Sequence, residues 1–236
     1  MLKLSNVTKR FGALIAVNNL SFEVSQGQVF GIAGPNGAGK STVYNLITGF
    51  YDFEGSIRFD GKEISGMKPH QIAQLGISRT FQIPQTFPSL TVEQSLEVGN
   101  RFGNRAKHDA RRIERIIDFV ELQSERHEFT GTLNLLGKKK LMIGAALATD
   151  PKILMLDEPM AGSNAHEIKA LMELIQRMNQ ELGITIIIIE HFMKVLTELT
   201  ETLLIIETGT EICCGDPEVV TSDPRVIECY LGGDDD

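Results

Sequence analysis

The sequence has little of three features that each point to a particular class of protein: cysteine, net positive charge and long apolar runs. Its 236 residues include three cysteines, Cys213, Cys214 and Cys229, whose spacing matches no zinc site. Because adjacent cysteines rarely bridge each other, we expect three reduced thiols, as in a protein of the cytosol.

The net charge and the lengths of the apolar runs exclude further classes of partner and location. The net charge is −8 at pH 7, which argues against nucleic acid as a partner, since phosphate contacts need clustered lysine and arginine. No run approaches the roughly 20 apolar residues of a membrane-spanning helix. The opening MLKLSNVTKRF also lacks an apolar stretch of signal-peptide length. We therefore expect that another protein holds this chain at any membrane where it works.

What the sequence does contain is an alternation of apolar strands and helices. Apolar residues make up 42% of the chain, enough for a packed core. The runs QVFGIAG, KILMLD and ITIIIIE predict buried strands, and helical patterns lie between them. Such near-continuous apolar strands are typical of a parallel sheet covered by helices on both faces. The sequence thus predicts an α/β fold.

Two further patterns divide the chain. Residues 1–30 predict short β segments, and SIRFDGKEI predicts a hairpin that turns at Asp60-Gly61. Residues 84–139 become helical, with one face formed by Ile113, Ile116, Ile117 and Val120. We expect a single domain over 1–236, with a nucleotide-binding core and β subdomain from 1–83 and 140–236 and a helical subdomain from 84–139.

The segment GPNGAGKST places a glycine-rich turn between a predicted strand and a predicted helix. Its glycines let the backbone curl so that N–H groups face a phosphate, aided by the dipole of the following helix. Lys40 is then able to reach the β- and γ-phosphates, and Ser41 to bind Mg²⁺. A chance glycine-rich turn is the alternative, and the flanking strand and helix argue against it.

The run KILMLDE delivers two acids to the end of an apolar strand, where ligands bind in open α/β sheets. Asp157 would hold Mg²⁺, and Glu158 would polarise the attacking water. The alternative is a solvated acidic turn.

Three more residues carry weaker signals. His191 follows a strand, where it either donates to a γ-phosphate or is structural. Gln82 lies at the junction with the helical segment and is either functional or merely exposed. Phe11 either stacks on a base or packs in the core.

With these motifs in place, the sequence resembles the ATP-binding subunit of an ABC transporter. GPNGAGKST is similar to Walker A, TFQ to the Q-loop, ILMLDE to Walker B, AGSN to the D-loop and EH to the H-loop. Within that family it resembles the branched-chain (hydrophobic) amino-acid importer ATPases, through GISRTFQIPQTFPSLTVEQSLEVG, MLDEPMAG and DPRVIECYLG. The resemblance implies a P-loop NTPase (RecA-like) core with an N-terminal antiparallel β subdomain and an inserted α-helical subdomain.

The resemblance also assigns roles for ATP and Mg²⁺. It implies that Phe11 stacks on adenine and that Val17 lies near the nucleotide. It makes Glu158 the catalytic base, with His191 and Lys40 contacting phosphate. The Walker A residues implied to bind the nucleotide are Gly34, Asn36, Gly37, Gly39, Lys40, Ser41 and Thr42. The residues implied at the metal or in its shell are Ser41, Gln82 and Asp157.

The partners follow from the same resemblance. ABC ATPases pair head to tail, so we expect a second, homologous ATPase, transmembrane permease subunits and, indirectly, a secreted or periplasmic substrate-binding protein. The chain would sit peripherally on the cytoplasmic side of the plasma (inner) membrane. Phe87, Pro88 and Leu90 are candidate permease contacts, with core packing as the alternative. Other functions left open are an exporter ATPase of the lipopolysaccharide type, a soluble ABC ATPase and a non-hydrolysing regulator.

One motif departs from the family pattern. LNLLG takes the place of the usual LSGGQ signature, which contacts the partner's ATP. Asn134 replaces serine, Leu135 and Leu136 replace the glycines, and Gly137 replaces glutamine. The following lysines, 138–140, either contact a phosphate or form a solvated basic turn. The signature is then either weakened but serviceable, or part of a heterodimer with unequal sites.

Overall fold

The computed structural model describes residues 1–103 and 110–231. The acidic tail and residues 104–109 of the predicted helical subdomain lie outside this description. The strands are β1 (Leu2–Phe11), β2 (Leu14–Val24), β3 (Val29–Ala33), β4 (Glu54–Phe59), β5 (Lys62–Glu63), β6 (Ile77–Arg79), β7 (Ile153–Asp157), β8 (Thr185–Ile189), β9 (Thr202–Glu207) and β10 (Thr210–Gly215). The helices are α1 (Lys40–Ile47), α2 (Pro69–Leu75), α3 (Val92–Phe102), α4 (Ala110–Phe119), α5 (Leu135–Ala148), α6 (Ala165–Leu182), α7 (Met193–Leu199), α8 (Pro217–Thr221) and α9 (Pro224–Leu231).

The chain forms two compact units, and the first comprises residues 1–72 and 185–236. The N-terminal part of this unit forms an antiparallel sheet in the strand order β2-β1-β4-β5. The predicted hairpin is confirmed, because β4 pairs with β5 across Asp60 and Gly61. Both turn residues have positive φ, 49° and 77°, as a two-residue type I′ turn requires.

The same unit contains a layer of parallel strands. β3 pairs in parallel with β8 on one side and with β9 on the other, while β10 runs antiparallel to β9. Every residue of β3 and β8 is buried, which explains why these strands are apolar throughout rather than alternating. Ile32 of β3 lies opposite Ile189 of β8, so the segments that follow both strands leave from one edge.

The second unit comprises residues 73–184. Its strands β6 and β7 pair in parallel, with Ile77 opposite Ile153 and Arg79 opposite Met155. The predicted apolar helix face is confirmed around α4, since its four members are almost fully buried: Ile113, Ile116, Ile117 and Val120. Helix α5 runs unbroken across position 139/140, and the division of the chain at 83/84 and 139/140 stays a prediction.

Two expectations from composition also have structural counterparts. Cys213, Cys214 and Cys229 are unpaired thiols, as expected. Over residues 1–103 and 110–231, none of the helices has the length and apolar character needed to cross a bilayer.

Candidate functional site

The glycine-rich turn lies between β3 and α1, as the sequence predicts, and its geometry depends on glycine. Gly39 caps α1 with φ 101°, and a Cβ there would lie 2.4 Å from the carbonyl oxygen of Ala16. A Cβ on Gly34 would lie 2.0 Å from the carbonyl oxygen of Ile206. Gly37 has φ 78° but open space around it, so only its backbone conformation favours glycine.

A second turn, between β9 and β10, braces this loop. Gly209 donates its N–H to the Ala38 carbonyl at 2.9 Å, and its own carbonyl accepts from the Asn18 N–H at 2.8 Å. Its φ is 77°, and a Cβ there would lie 2.7 Å from the Ala16 carbonyl oxygen. The phosphate loop is therefore held between β2 and the Gly209 turn. The sequence did not predict this turn, because Thr208-Gly209 is not one of the usual hairpin pairs, although both residues have the positive φ of a type I′ turn.

Lys40 lies over the loop that precedes it. Its side chain is buried, and Nζ donates to the carbonyl oxygens of Gly34 at 2.6 Å and Pro35 at 2.9 Å. The hydroxyl of Tyr44, four residues along α1, donates to the Ile187 carbonyl at 2.7 Å and anchors the helix to β8. A fixed helix start with a cation beside curled backbone amides is suited to binding a polyphosphate.

The remaining predicted nucleotide residues of this unit differ in accessibility. Asn36 and Ser41 are exposed and Thr42 is half-buried, whereas Val17 is fully buried in β2. Phe11, at the end of β1, is 41% exposed, which is too much for core packing. Its ring meets that of Tyr51 edge-on, with centroids 5.1 Å apart. An exposed face of such a pair is available for stacking on a base.

His191 follows β8 as predicted. It is half-buried, and its backbone N–H donates to the Glu190 carboxylate at 3.1 Å. Because β8 lies in parallel beside β3, His191 and the phosphate loop follow strands that end at one edge of the sheet. The edge of a parallel sheet where strands end is the usual position for ligands.

In the second unit, Asp157 is the last residue of β7, as predicted, and it is buried. Its carboxylate forms an ion pair with Arg79 of β6, with Nη2 and Oδ2 3.1 Å apart. Both side chains are less than one-tenth exposed, at 9% and 8%. The sequence did not predict Arg79 as a site residue; the parallel pairing of β6 with β7 brings it beside Asp157.

Glu158 follows in a conformation that is unusual for its residue type. Its φ is 48°, in the left-handed region where a residue with a Cβ is strained. Its carboxylate accepts a hydrogen bond from Gln82 Nε2 at 2.5 Å. The structure therefore brings these two predicted site residues together. Backbone strain of this kind concentrates at functional sites.

The LNLLG segment forms the start of α5. Asn134 is the N-cap, and its Oδ1 accepts from the Gly137 N–H at 2.7 Å. Leu135 is 38% exposed, and Leu136 is half-buried. Capping of this kind is a usual role for asparagine at a helix start.

Both interpretations of the lysine run are wrong for Lys139. It is 2% exposed, and Nζ donates to the Ala161 carbonyl at 2.5 Å and to Ser163 Oγ at 2.7 Å. Lys140 pairs with Glu121 at 2.7 Å, and this hydrogen bond is the main reason that the pKa of Glu121 is lowered. Neither lysine is a free surface charge.

The predicted metal ligands have suitable chemistry for Mg²⁺. Ser41 offers a hydroxyl and Asp157 a carboxylate, both hard oxygen ligands. Among the described residues, no three or more histidine, cysteine, aspartate or glutamate side chains are grouped to hold a metal ion. Mg²⁺ is typically bound through one or two carboxylates plus substrate phosphates, so a small protein ligand set fits it.

Comparison with known proteins supports this interpretation of the motifs. Residues 17–161 match the ABC transporter family, and residues 211–236 match the branched-chain amino acid ATP-binding cassette transporter family. The high-affinity branched-chain amino acid transport ATP-binding protein BraF of Pseudomonas aeruginosa is 38% identical over 98% of both chains. LivG of Escherichia coli, with the same description, is 35% identical over 98% of both.

Solved structures agree with the sequence relatives. The ADP conformation of MJ1267, an ATP-binding cassette of an ABC transporter, is 32% identical with a TM-score of 0.88, covering 98% of both chains. A nucleotide-free ATP-binding cassette from an ABC transporter is 31% identical with a TM-score of 0.85, covering 97% of this chain and 98% of that one. The predicted P-loop NTPase fold is confirmed. The chain belongs to the ABC transporter family, as one of its ATP-hydrolysing, ATP-binding cassette subunits.

Proposed function

We propose that this chain powers an importer of branched-chain or other hydrophobic amino acids, hydrolysing ATP beside a membrane permease. The observation that carries the substrate class is the similarity to BraF and LivG along 98% of each chain. The glycine-dependent loop with Lys40 supports the ATPase activity. A secreted or periplasmic protein would deliver the amino acid, and this chain would stay on the cytoplasmic side.

In this proposal the loop binds the ATP phosphates through its backbone N–H groups. Lys40 then turns from the loop carbonyls to the β- and γ-phosphates. Ser41 and Asp157 would hold Mg²⁺, with Gln82 in its shell. When bound, the metal neutralises charge on the phosphates. Arg79 has to share or release Asp157 at that moment, because the two now form an ion pair.

Glu158 is the proposed general base for the attacking water, and His191 the proposed contact to the γ-phosphate. The hydrogen bond from Gln82 fixes the orientation of the Glu158 carboxylate. Gln82 leads directly into the segment proposed to meet the permease. Nucleotide state therefore has a short route to that segment, through one side-chain hydrogen bond.

Residues 81–90 and a neighbouring loop supply a surface suited to a permease helix. Phe87 is 56% exposed, which excludes core packing, and Phe129 is 57% exposed. The Thr130 hydroxyl donates to the Phe87 carbonyl at 2.7 Å and holds the two segments together. Pro88 is exposed and Leu90 is half-buried. Exposed apolar side chains grouped on one surface are typical of interaction sites.

We also propose that the chain works as one of two ATPase subunits, with Phe11 against adenine. Residues 134–137 would face the partner's nucleotide across the dimer. In a heterodimer with unequal sites, the Walker A and Glu158 of this chain would form the stronger hydrolytic site. Glu158→Gln here would then lower turnover of the complex more than the same change in the partner, and equal losses would contradict the asymmetry.

Two measurements test the function. Glu158→Gln should lower the ATPase kcat of the purified chain by at least about 100-fold, because it removes a general base, while Mg-ATP binding persists. Glu173→Gln, a surface change on α6, is the matched control and should leave turnover unchanged.

In cells lacking the chain, uptake of labelled leucine, isoleucine and valine should fall and return with the wild-type gene but not with Glu158→Gln. Unchanged uptake of all three would contradict the substrate class.

A further inference from the structure

The start of α5 and the loop before α6 touch at two points within the second unit. Lys139 reaches from α5 to Ala161 and Ser163, donating at 2.5 and 2.7 Å. Leu135, one turn earlier on the same helix, lies over Gly162, since a Cβ on that glycine would be 3.5 Å from Leu135 Cδ2. These contacts join the LNLLG segment to the AGSN loop, residues 161–164.

The buried ammonium group of Lys139 requires hydrogen-bond acceptors within the protein. Lys139 is 2% exposed, and an ammonium group removed from water is stabilised only when hydrogen-bond acceptors replace its hydration. The Ala161 carbonyl and the Ser163 hydroxyl supply two such acceptors. Charge-assisted hydrogen bonds of this kind are stronger than neutral ones, so they fix the geometry of both segments.

The loop that Lys139 grips is connected to the proposed base. The Ala161 N–H donates to the Glu158 carbonyl at 3.1 Å, and the Ser163 N–H donates to the Met160 carbonyl at 3.0 Å. Asn164 then caps α6 through its side chain. The segment from Glu158 to α6 is thus a series of tight turns, and the buried Lys139 side chain holds it against α5.

We propose that Lys139 is a positioning residue, which with Leu135 braces the AGSN loop against the start of α5 so that both segments move as one body. The proposal rests on the proposed function, in which residues 134–137 face the partner's nucleotide. It also gives a reason for one departure from the family signature. Leu135 stands where a glycine is usual, and its side chain contributes to the brace.

The test compares Lys139→Met with Lys138→Met, its half-buried neighbour on α5. Amide exchange of residues 160–164, followed by mass spectrometry, should accelerate by about 10-fold or more in Lys139→Met, because two charge-assisted hydrogen bonds to this loop are lost. The control should match the wild type. Ser163→Ala, which removes one acceptor and keeps the buried ammonium, should give a smaller acceleration in the same peptides.

Turnover supplies the second readout. Lys139→Met should lower the ATPase kcat by about 10-fold while the KM for Mg-ATP stays within about twofold, because positioning is lost but the phosphate loop is intact. Wild-type exchange in both Lys139→Met and Ser163→Ala would overturn the brace. Faster exchange with unchanged kcat would overturn its role in positioning. Absence of ATPase activity in the wild type would instead contradict the proposed function, and the exchange result would still decide whether the brace exists.

Discussion

The phosphate loop and the LNLLG segment both lie at the start of a helix, yet they are held in place in different ways. The phosphate loop depends on backbone, because a Cβ on Gly34 or Gly39 would lie within 2.4 Å of a carbonyl oxygen. The LNLLG segment depends on side chains, with Asn134 as cap and Lys139 reaching 22 and 24 residues along the chain. A backbone cradle tolerates little substitution, whereas a segment held by side chains can change its glycines and keep its position.

Gly34→Ala tests how strictly the phosphate loop requires glycine, and we expect it to have the largest effect. The added Cβ would lie 2.0 Å from the Ile206 carbonyl oxygen, so β3 or β9 has to move. We expect loss of Mg-ATP binding and a fall of about 3 kcal/mol in the free energy of unfolding, as for other severe backbone clashes. Gly37→Ala is the control, since open space surrounds it and only its positive φ costs about 1 kcal/mol. Urea denaturation with and without Mg-ATP measures both, and equal effects would show that the clash at Gly34 is relieved.

Arg79→Met tests a side-chain contact in the second unit. It leaves the buried carboxylate of Asp157 without its arginine, which we expect to cost about 3 kcal/mol of unfolding free energy. Added Mg²⁺ should stabilise this variant more than the wild type, because a cation at Asp157 replaces the missing charge. Arg79→Lys keeps the charge and should lie between the two. Thermal denaturation with Mg²⁺ and with EDTA measures the difference, and a wild-type response to Mg²⁺ would contradict the prediction.

Glu158→Gly separates stability from activity. Glycine adopts positive φ without strain, so the variant should gain about 1 kcal/mol of unfolding free energy. ATP hydrolysis should disappear because the carboxylate is gone. The gain is visible as a shift of the denaturation midpoint. A loss of stability would mean that the hydrogen bond from Gln82 outweighs the backbone strain.

The last prediction concerns the reactivity of Cys229 in α9, and it requires no change in the stability of the fold. Burial, and then the nearby Glu207, raise the pKa of its thiol to about 11. A raised pKa keeps the thiol protonated, so at pH 8 the thiolate fraction falls by about 100-fold relative to an ordinary cysteine. Alkylation by iodoacetamide should be correspondingly slow in the folded protein and fast in guanidinium. Rapid alkylation of Cys229 in the native state would contradict this.

Much of the fold could be predicted because its signals are local. The β4–β5 turn follows from the Asp60-Gly61 pair, whose φ values match a hairpin turn. The buried strands follow from apolar runs, and the helix around Ile113 and Ile117 from its spacing. The contacts between distant segments could not be predicted from the sequence. Arg79 with Asp157, and Gly209 with Ala38, depend on strand register and on how turns meet.

The sequence by itself determined the phosphate loop, its flanking strand and helix, and the family, because glycine, lysine and serine at fixed spacing act through neighbouring backbone. Only the tertiary structure decided the role of Lys139. Its sequence neighbours suggest a basic surface, but packing removes it from water and gives it acceptors on a loop more than 20 residues away. Burial and long-range hydrogen bonding depend on the folded chain as a whole, and no local pattern encodes them.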